Sequence, residues 1–184
     1  MIGRVEQPPT LDTFLDKTLP HWLHASTKVE SYMKYIYFIC TSNTCRSPIA
    51  EALCRQYLQE KGLSDQYEAR SRALTDAYEP EDSPAAEQSH RVMAELNSID
   101  MSPHRSKMLS EGDLSEASFI VGMTQGHINA IRDSYSAAQQ NKDKLMFFPE
   151  DVPDPWHQPD HIYKRCAQKL RVLVYDFLDT KLGK

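Results

Sequence analysis

From Tyr35 to Ile39 the chain runs through aromatic and β-branched residues with no polar break, which predicts a strand buried on both faces, as in a parallel sheet. A polar stretch follows, from Cys40 to Arg46. Ser47-Pro48 then predicts a helix start, with Ser47 as the cap and Pro48 in the first helical position, and Gly62 predicts its end. The alternation repeats. Tyr67 to Leu74 reads as a strand, Ser83-Pro84 opens a helix running to Leu96, and Phe119 to Met123 reads as a short buried strand with Thr124 capping the helix after it. Leu145 to Phe148 is a fourth strand. A last helix spans Asp160 to Leu182, with Ile162, Cys166, Leu170, Leu173, Val174 and Phe177 on one stripe. Such alternation implies an α/β fold, a sandwich of helices around a mostly parallel sheet.

Residues 1–33 break this rhythm. Gln7-Pro8-Pro9 and Pro20 interrupt the chain, while Leu11, Phe14, Leu15, Leu19, Trp22 and Leu23 recur at roughly helical spacing. The segment reads as an N-terminal extension with short amphipathic helices, suited to docking on the domain, to binding a partner, or to loose order. Residues 34–184 read as the folded domain.

Composition narrows the function classes. A net charge of -5 argues against a general nucleic-acid binder, since a phosphate backbone demands clustered Lys and Arg. No run of eighteen apolar residues predicts a membrane span, and no secretory signal opens the chain. The four cysteines, Cys40, Cys45, Cys54 and Cys166, therefore read as reduced thiols of a cytoplasmic protein. Cys54 and Cys166 read as small buried hydrophobes.

The loop between the first strand and its helix carries the chemistry. α/β folds bind ligands outside the carboxyl ends of strands, where backbone N–H groups form an anion nest and the next helix adds its positive end. The Thr41 to Arg46 amides would line such a nest. A cysteine at its base, Cys40, is favoured as the thiolate, which is the nucleophilic form. Arg46 offers the planar fork that grips two phosphoryl oxygens, and a lysine would not. Ser47 can donate its hydroxyl to the thiolate. Asn43 tolerates the left-handed backbone that would hold the curl of the loop.

Cys-x5-Arg-Ser, with Asn43 inside it and Pro48 after it, resembles the phosphate-binding loop of the low-molecular-weight protein tyrosine phosphatase family, and the likeness runs from Tyr35 to Leu182. The resemblance implies a three-layer sandwich with a four-stranded parallel sheet, no metal and no cofactor, and phosphorylated proteins as substrates. It implies that Asp154, in Asp154-Pro155-Trp156, is the general acid, with Trp156 an aromatic wall beside the substrate; by itself Asp-Pro is an ordinary turn start. It implies that His104 braces Asn43 and Ser47 from behind, the other reading being a satisfied structural histidine; the remaining histidines read as structural. Cys45 matches a family position that forms a disulfide with the nucleophile under oxidation, the other reading being a packed thiol. Tyr78 lies near the position of a family pocket aromatic.

The string from Cys40 to Ser47 looks most like the branch that hydrolyses phosphoarginine in proteins, because Thr44 stands where tyrosine-directed members carry a branched apolar residue. Two departures stand against that pattern: Ser42 replaces a usual glycine, and Ser71-Arg72-Ala73 replaces a usual Ser-Ala-Gly. The expectation is a cysteine-dependent phosphatase that forms a phosphocysteine, with phosphoarginine favoured and phosphotyrosine the alternative. The rival readings are arsenate reduction on the same fold, a non-catalytic phosphate-binding module, and a zinc site built from Cys40 and Cys45.

Overall fold

Strand β1 (Lys34–Cys40) is an inner strand of the sheet, between two parallel neighbours. Ile36, Phe38 and Cys40 point to one face and Tyr37 and Ile39 to the other, and all five are buried. The structure is a computed structural model that describes residues 32–183; of the predicted extension over residues 1–33, residues 1–31 lie outside the described residues.

The four strands are β1, β2 (Tyr67–Ala73), β3 (Ala117–Gly122) and β4 (Leu145–Phe147), all parallel, in the order β2-β1-β3-β4. The chain thus leaves β1 toward β2 on one side and returns to β3 on the other. That reversal of strand order opens a crevice at the carboxyl end of β1, where doubly wound sheets bind ligands.

Helices cover both faces. On one, α1 (Arg46–Glu60) and α6 (Asp160–Leu182) pack with α2 (Glu87–Asn97) over Ile36, Phe38 and Val121. On the other, Leu114 of α3 (Glu111–Glu116), Ile128 and Ile131 of α4 (Gln125–Ser134) and Ala138 of α5 (Ala137–Gln140) cover Tyr37, Ile39 and Ile120. This is the expected three-layer sandwich. The short α3 and α5 were not foreseen, being too brief for a periodic signal. On α6 the buried stripe is Tyr163, Cys166, Ala167, Leu170, Leu173, Val174 and Leu178, while Ile162 and Phe177 lie at its margins.

Two helix starts need correction. Helix α1 begins at Arg46 with Cys45 in the cap position, so Ser47 is not the cap and Pro48 sits third. Proline is tolerated there because the first-turn N–H groups have no intrahelical partner anyway, and the Ser47 hydroxyl is drawn into the site instead. The helix foreseen from Ser83-Pro84 begins only at Glu87. The intervening backbone pairs elsewhere: Ser106 N–H donates to the Ser83 carbonyl, and Ala86 N–H to the Thr44 carbonyl. Thr124 caps α4 as expected, in a reciprocal box whose other half is the His127 ring. A Cβ added to Gly122 would lie 2.9 Å from Ile128 Cγ1, so glycine lets α4 close directly over the end of β3.

Candidate active site

The loop after β1 curls because Asn43 adopts a left-handed backbone, φ 58°. That conformation costs a non-glycine residue about 1–2 kcal/mol, and the contacts of a fully buried Asn43 offset it. Its Nδ2 donates to Ser47 Oγ (3.0 Å) and Ser71 Oγ (2.7 Å). Its Oδ1 accepts from the Lys107 N–H at 3.0 Å, and its own carbonyl accepts from His104 Nε2 at 2.8 Å. Ser71 in turn donates to Glu51 on α1.

These bonds have a direction. Because Ser47 accepts from Asn43, its own proton is left for Cys40 Sγ, 3.0 Å away. His104 is half-buried, and its desolvation pushes it below the ordinary histidine value, against the raising effect of its bond to Asn43. A neutral ring with its proton on Nε2 is the donor that the Asn43 carbonyl needs.

In front of this scaffold, Cys40, Thr41, Ser42, Thr44, Cys45, Arg46, Tyr78, Asp154 and Trp156 line a cavity of about 290 Å³. Among the described residues, the N–H groups of Thr41, Ser42, Asn43, Thr44 and Cys45 donate to no protein acceptor. Consecutive unpaired amides ahead of a helix N-terminus are a nest for an anion.

Arg46 is 5 % exposed and is held at three points. Its Nη1 donates to the Val152 carbonyl (3.2 Å), and its Nη2 donates to Thr41 Oγ1 (3.3 Å) and to Asp154 Oδ2 (2.5 Å). Its Nε is buried and without a partner, a costly state for a charged donor unless an anion completes it. Asp154 also accepts from the Trp156 N–H at 3.2 Å, which turns the carboxylate toward the cavity. Tyr78 and Trp156 face each other edge-on, 5.7 Å between ring centroids, and form the mouth.

All nine cavity residues had been singled out from the sequence, with Asn43, Ser47 and His104 behind them. His104 reaches the loop through the Asn43 carbonyl; its hydrogen bonds do not include Ser47. The four cysteines are free thiols. Burial raises Cys45 above the ordinary thiol value, although the Tyr163 hydroxyl at 3.4 Å counters this. Burial likewise pushes Cys166 up to about 12, which keeps it protonated. Among the described residues, no group of three or more His, Cys, Asp or Glu is placed to hold a metal ion.

One neighbour of the site was missed. The sequence reads His127 as structural, yet its Nε2 lies 3.3 Å from the Oγ1 of Thr41, a residue that lines the cavity. The available signal was its place three residues after the Thr124 cap, where a side-chain acceptor returns to the cap N–H.

The chain matches the family described as low molecular weight phosphotyrosine protein phosphatase over residues 35–184. It is similar to a protein-arginine-phosphatase of Geobacillus stearothermophilus, at 32% identity over 151 residues, covering 80% of this chain and 95% of that one. It superposes on a low molecular weight protein tyrosine phosphatase from T. tengcongensis with a TM-score of 0.72 and 30% identity, covering 80% of this chain and 99% of that one. It also superposes, with a TM-score of 0.72 and 27% identity over 82% of this chain and 96% of the other, on a YwlE arginine phosphatase whose active-site cysteine is replaced by a phosphorylated serine. Its match over residues 35–184 and its four-stranded parallel sheet together place the chain in the low molecular weight phosphotyrosine protein phosphatase family.

Proposed function

We propose that this phosphatase removes the phosphoryl group from phosphoarginine side chains of proteins. The observation that carries the catalytic part is the convergence of the Cys40 thiol, the unpaired amides from Thr41 to Cys45, Arg46 and Asp154 on one cavity. The phosphoryl oxygens occupy the nest and take up the Arg46 fork, including its unpartnered Nε. Cys40 thiolate attacks phosphorus and the P–N bond breaks as Asp154 gives its proton to the departing guanidino nitrogen. The product is a phosphocysteine. Water then attacks phosphorus, Asp154 takes its proton, the S–P bond breaks and the thiolate is regenerated. The phosphorylated serine at the corresponding place in the arginine phosphatase structure supports such a covalent intermediate.

Thr44 supports the arginine preference. It is 5 % exposed, lines the cavity and presents a hydroxyl where a branched apolar residue would present only methyl groups. A buried hydroxyl suits a polar guanidino leaving group and leaves an apolar ring less well matched. Phosphotyrosine is the second reading, favoured by the two aromatic rings at the mouth, which suit a flat substrate.

The test is kinetic. Cys40→Ser should abolish turnover of para-nitrophenyl phosphate, and wild-type rates surviving in that variant would exclude the scheme. On matched phosphoarginine and phosphotyrosine peptides, Thr44→Ile should shift the ratio of kcat/KM toward phosphotyrosine by about tenfold, the scale of one lost buried hydrogen bond. An unchanged ratio would remove Thr44 from the argument.

A further inference from the structure

The hydrogen bonds around His127 fix where every proton lies. The Thr124 backbone N–H can only donate, and it points at His127 Nδ1 from 3.1 Å. Nδ1 is therefore an acceptor without a proton, and the Thr124 hydroxyl lies beside it at 2.9 Å. In the neutral ring the proton must then sit on Nε2. Burial, helped by the Arg46 charge, keeps the ring in that neutral form.

Nε2 faces Thr41 Oγ1 at 3.3 Å, and Arg46 Nη2 faces the same oxygen, also at 3.3 Å. Arginine has no acceptor and His127 Nε2 has no free lone pair, so both donate. The two lone pairs of the Thr41 hydroxyl are thereby taken. Its own proton has no protein acceptor among the described residues, and Thr41 lines the cavity beside Cys40.

We propose that His127 is a positioning residue for the dephosphorylation, holding the Thr41 hydroxyl as an obligate donor to a phosphoryl oxygen. Without His127, Thr41 could rotate and spend its proton on the histidine's place or on Asp154, and the cup would present a lone pair to an anion. The assignment rests on the phosphatase reading, and it adds a side-chain donor to the backbone nest. The Thr41 oxygen also anchors Arg46, so the same histidine steadies the guanidinium that grips the phosphoryl group.

The test uses the full chain and inorganic phosphate as the probe, with affinity measured by calorimetry and para-nitrophenyl phosphate kinetics run in parallel. Thr41→Val should weaken phosphate binding about tenfold, the loss of one charge-assisted hydrogen bond, and Thr41→Ser should retain it. His127→Asn keeps an acceptor for the Thr124 N–H but is too short to reach Thr41. It should weaken phosphate by a similar factor in the wild type and add nothing in the Thr41→Val background. His127→Gln, which restores a donor near the Nε2 position, should recover most of the affinity.

Full additivity of His127→Asn with Thr41→Val would overturn the assignment, as would unchanged phosphate affinity in Thr41→Val. If His127→Asn does not fold, the Thr41→Val and Thr41→Ser pair still decides. Phosphate binding that follows this pattern, in a wild-type protein that turns over no phosphoester, would support the assignment and overturn the phosphatase reading.

Discussion

The floor and the mouth of the cavity are built to opposite rules. On the floor Asn43 and Ser47 are fully buried and Cys40 is 2 % exposed; Ser47 bonds to Cys40 and Asn43, and Asn43 reaches on to Ser71 and Lys107. At the mouth Tyr78 is 60 % and Trp156 37 % exposed, and these two rings meet only by their edges. The boundary is Val152. It is fully buried, its N–H donates to the Met123 carbonyl and its carbonyl receives Arg46. Asp154 lies two residues beyond this anchor and Trp156 four. On the proposed function, the floor holds a charge in a fixed place, which requires hydrogen bonds already made before substrate arrives. The mouth must admit different protein segments, which requires surface that can adjust.

If that contrast is right, the largest effect comes from cutting the floor's central residue. Asn43→Ala removes the donor to Ser47 and Ser71 and the acceptor of the Lys107 N–H, and leaves in the left-handed region a residue that tolerates it less well than asparagine. We expect a loss of roughly 4 kcal/mol in urea unfolding, with turnover falling in step. Asn43→Gly, which loses the same bonds but relieves the backbone strain, should recover about 1 kcal/mol of that.

A somewhat smaller effect belongs to pH. Burial lowers His127 to about 4 from the ordinary 6.5, and His104 is lowered in the same sense. Above pH 6.5 both rings are neutral whether the chain is folded or not. As pH falls toward 4 the unfolded chain takes up protons that the fold refuses, so stability declines through that window. His127 alone accounts for roughly 3 kcal/mol of the loss. Urea midpoints at pH 7 and pH 4.5 should show a smaller drop in His127→Gln than in wild type; equal drops would remove His127 from the acid response.

The smallest effect should come from the mouth. Tyr78→Ala should leave stability within about 0.5 kcal/mol and turnover of para-nitrophenyl phosphate nearly unchanged, while raising KM for phosphopeptides severalfold. A loss of stability comparable to that of Asn43→Ala would erase the distinction between the two regions.

The floor was also far easier to read in the sequence than its surroundings. Cys40, Asn43, Arg46, Ser47 and Pro48 lie within nine residues, and residue type alone restricts what each can do there. The burial of β1 on both faces followed from five unbroken apolar residues, and the stripe on α6 followed from its period. The helix starts at Ser47 and Ser83 were misplaced because a Ser-Pro pair signals a cap only when nothing better competes for the serine. Here Cys40 and Asn43 claim Ser47, and Ser106 claims the backbone at Ser83.

By itself, then, the sequence determined the alternation of strand and helix and the loop after β1 that gathers Cys40, Asn43, Arg46 and Ser47. These are local facts, set by side-chain period and by which residues tolerate a left-handed turn or carry a planar cation. Only the tertiary structure decided that Asp154 reaches Arg46 across 108 positions of chain, that Glu51 and Ser71 orient Asn43, and that His127 closes on Thr41. Those contacts depend on β3 lying against β1 and on the β4–α6 connection folding back to Met123. Strand order is a property of the whole packed core, and no window of residues carries it.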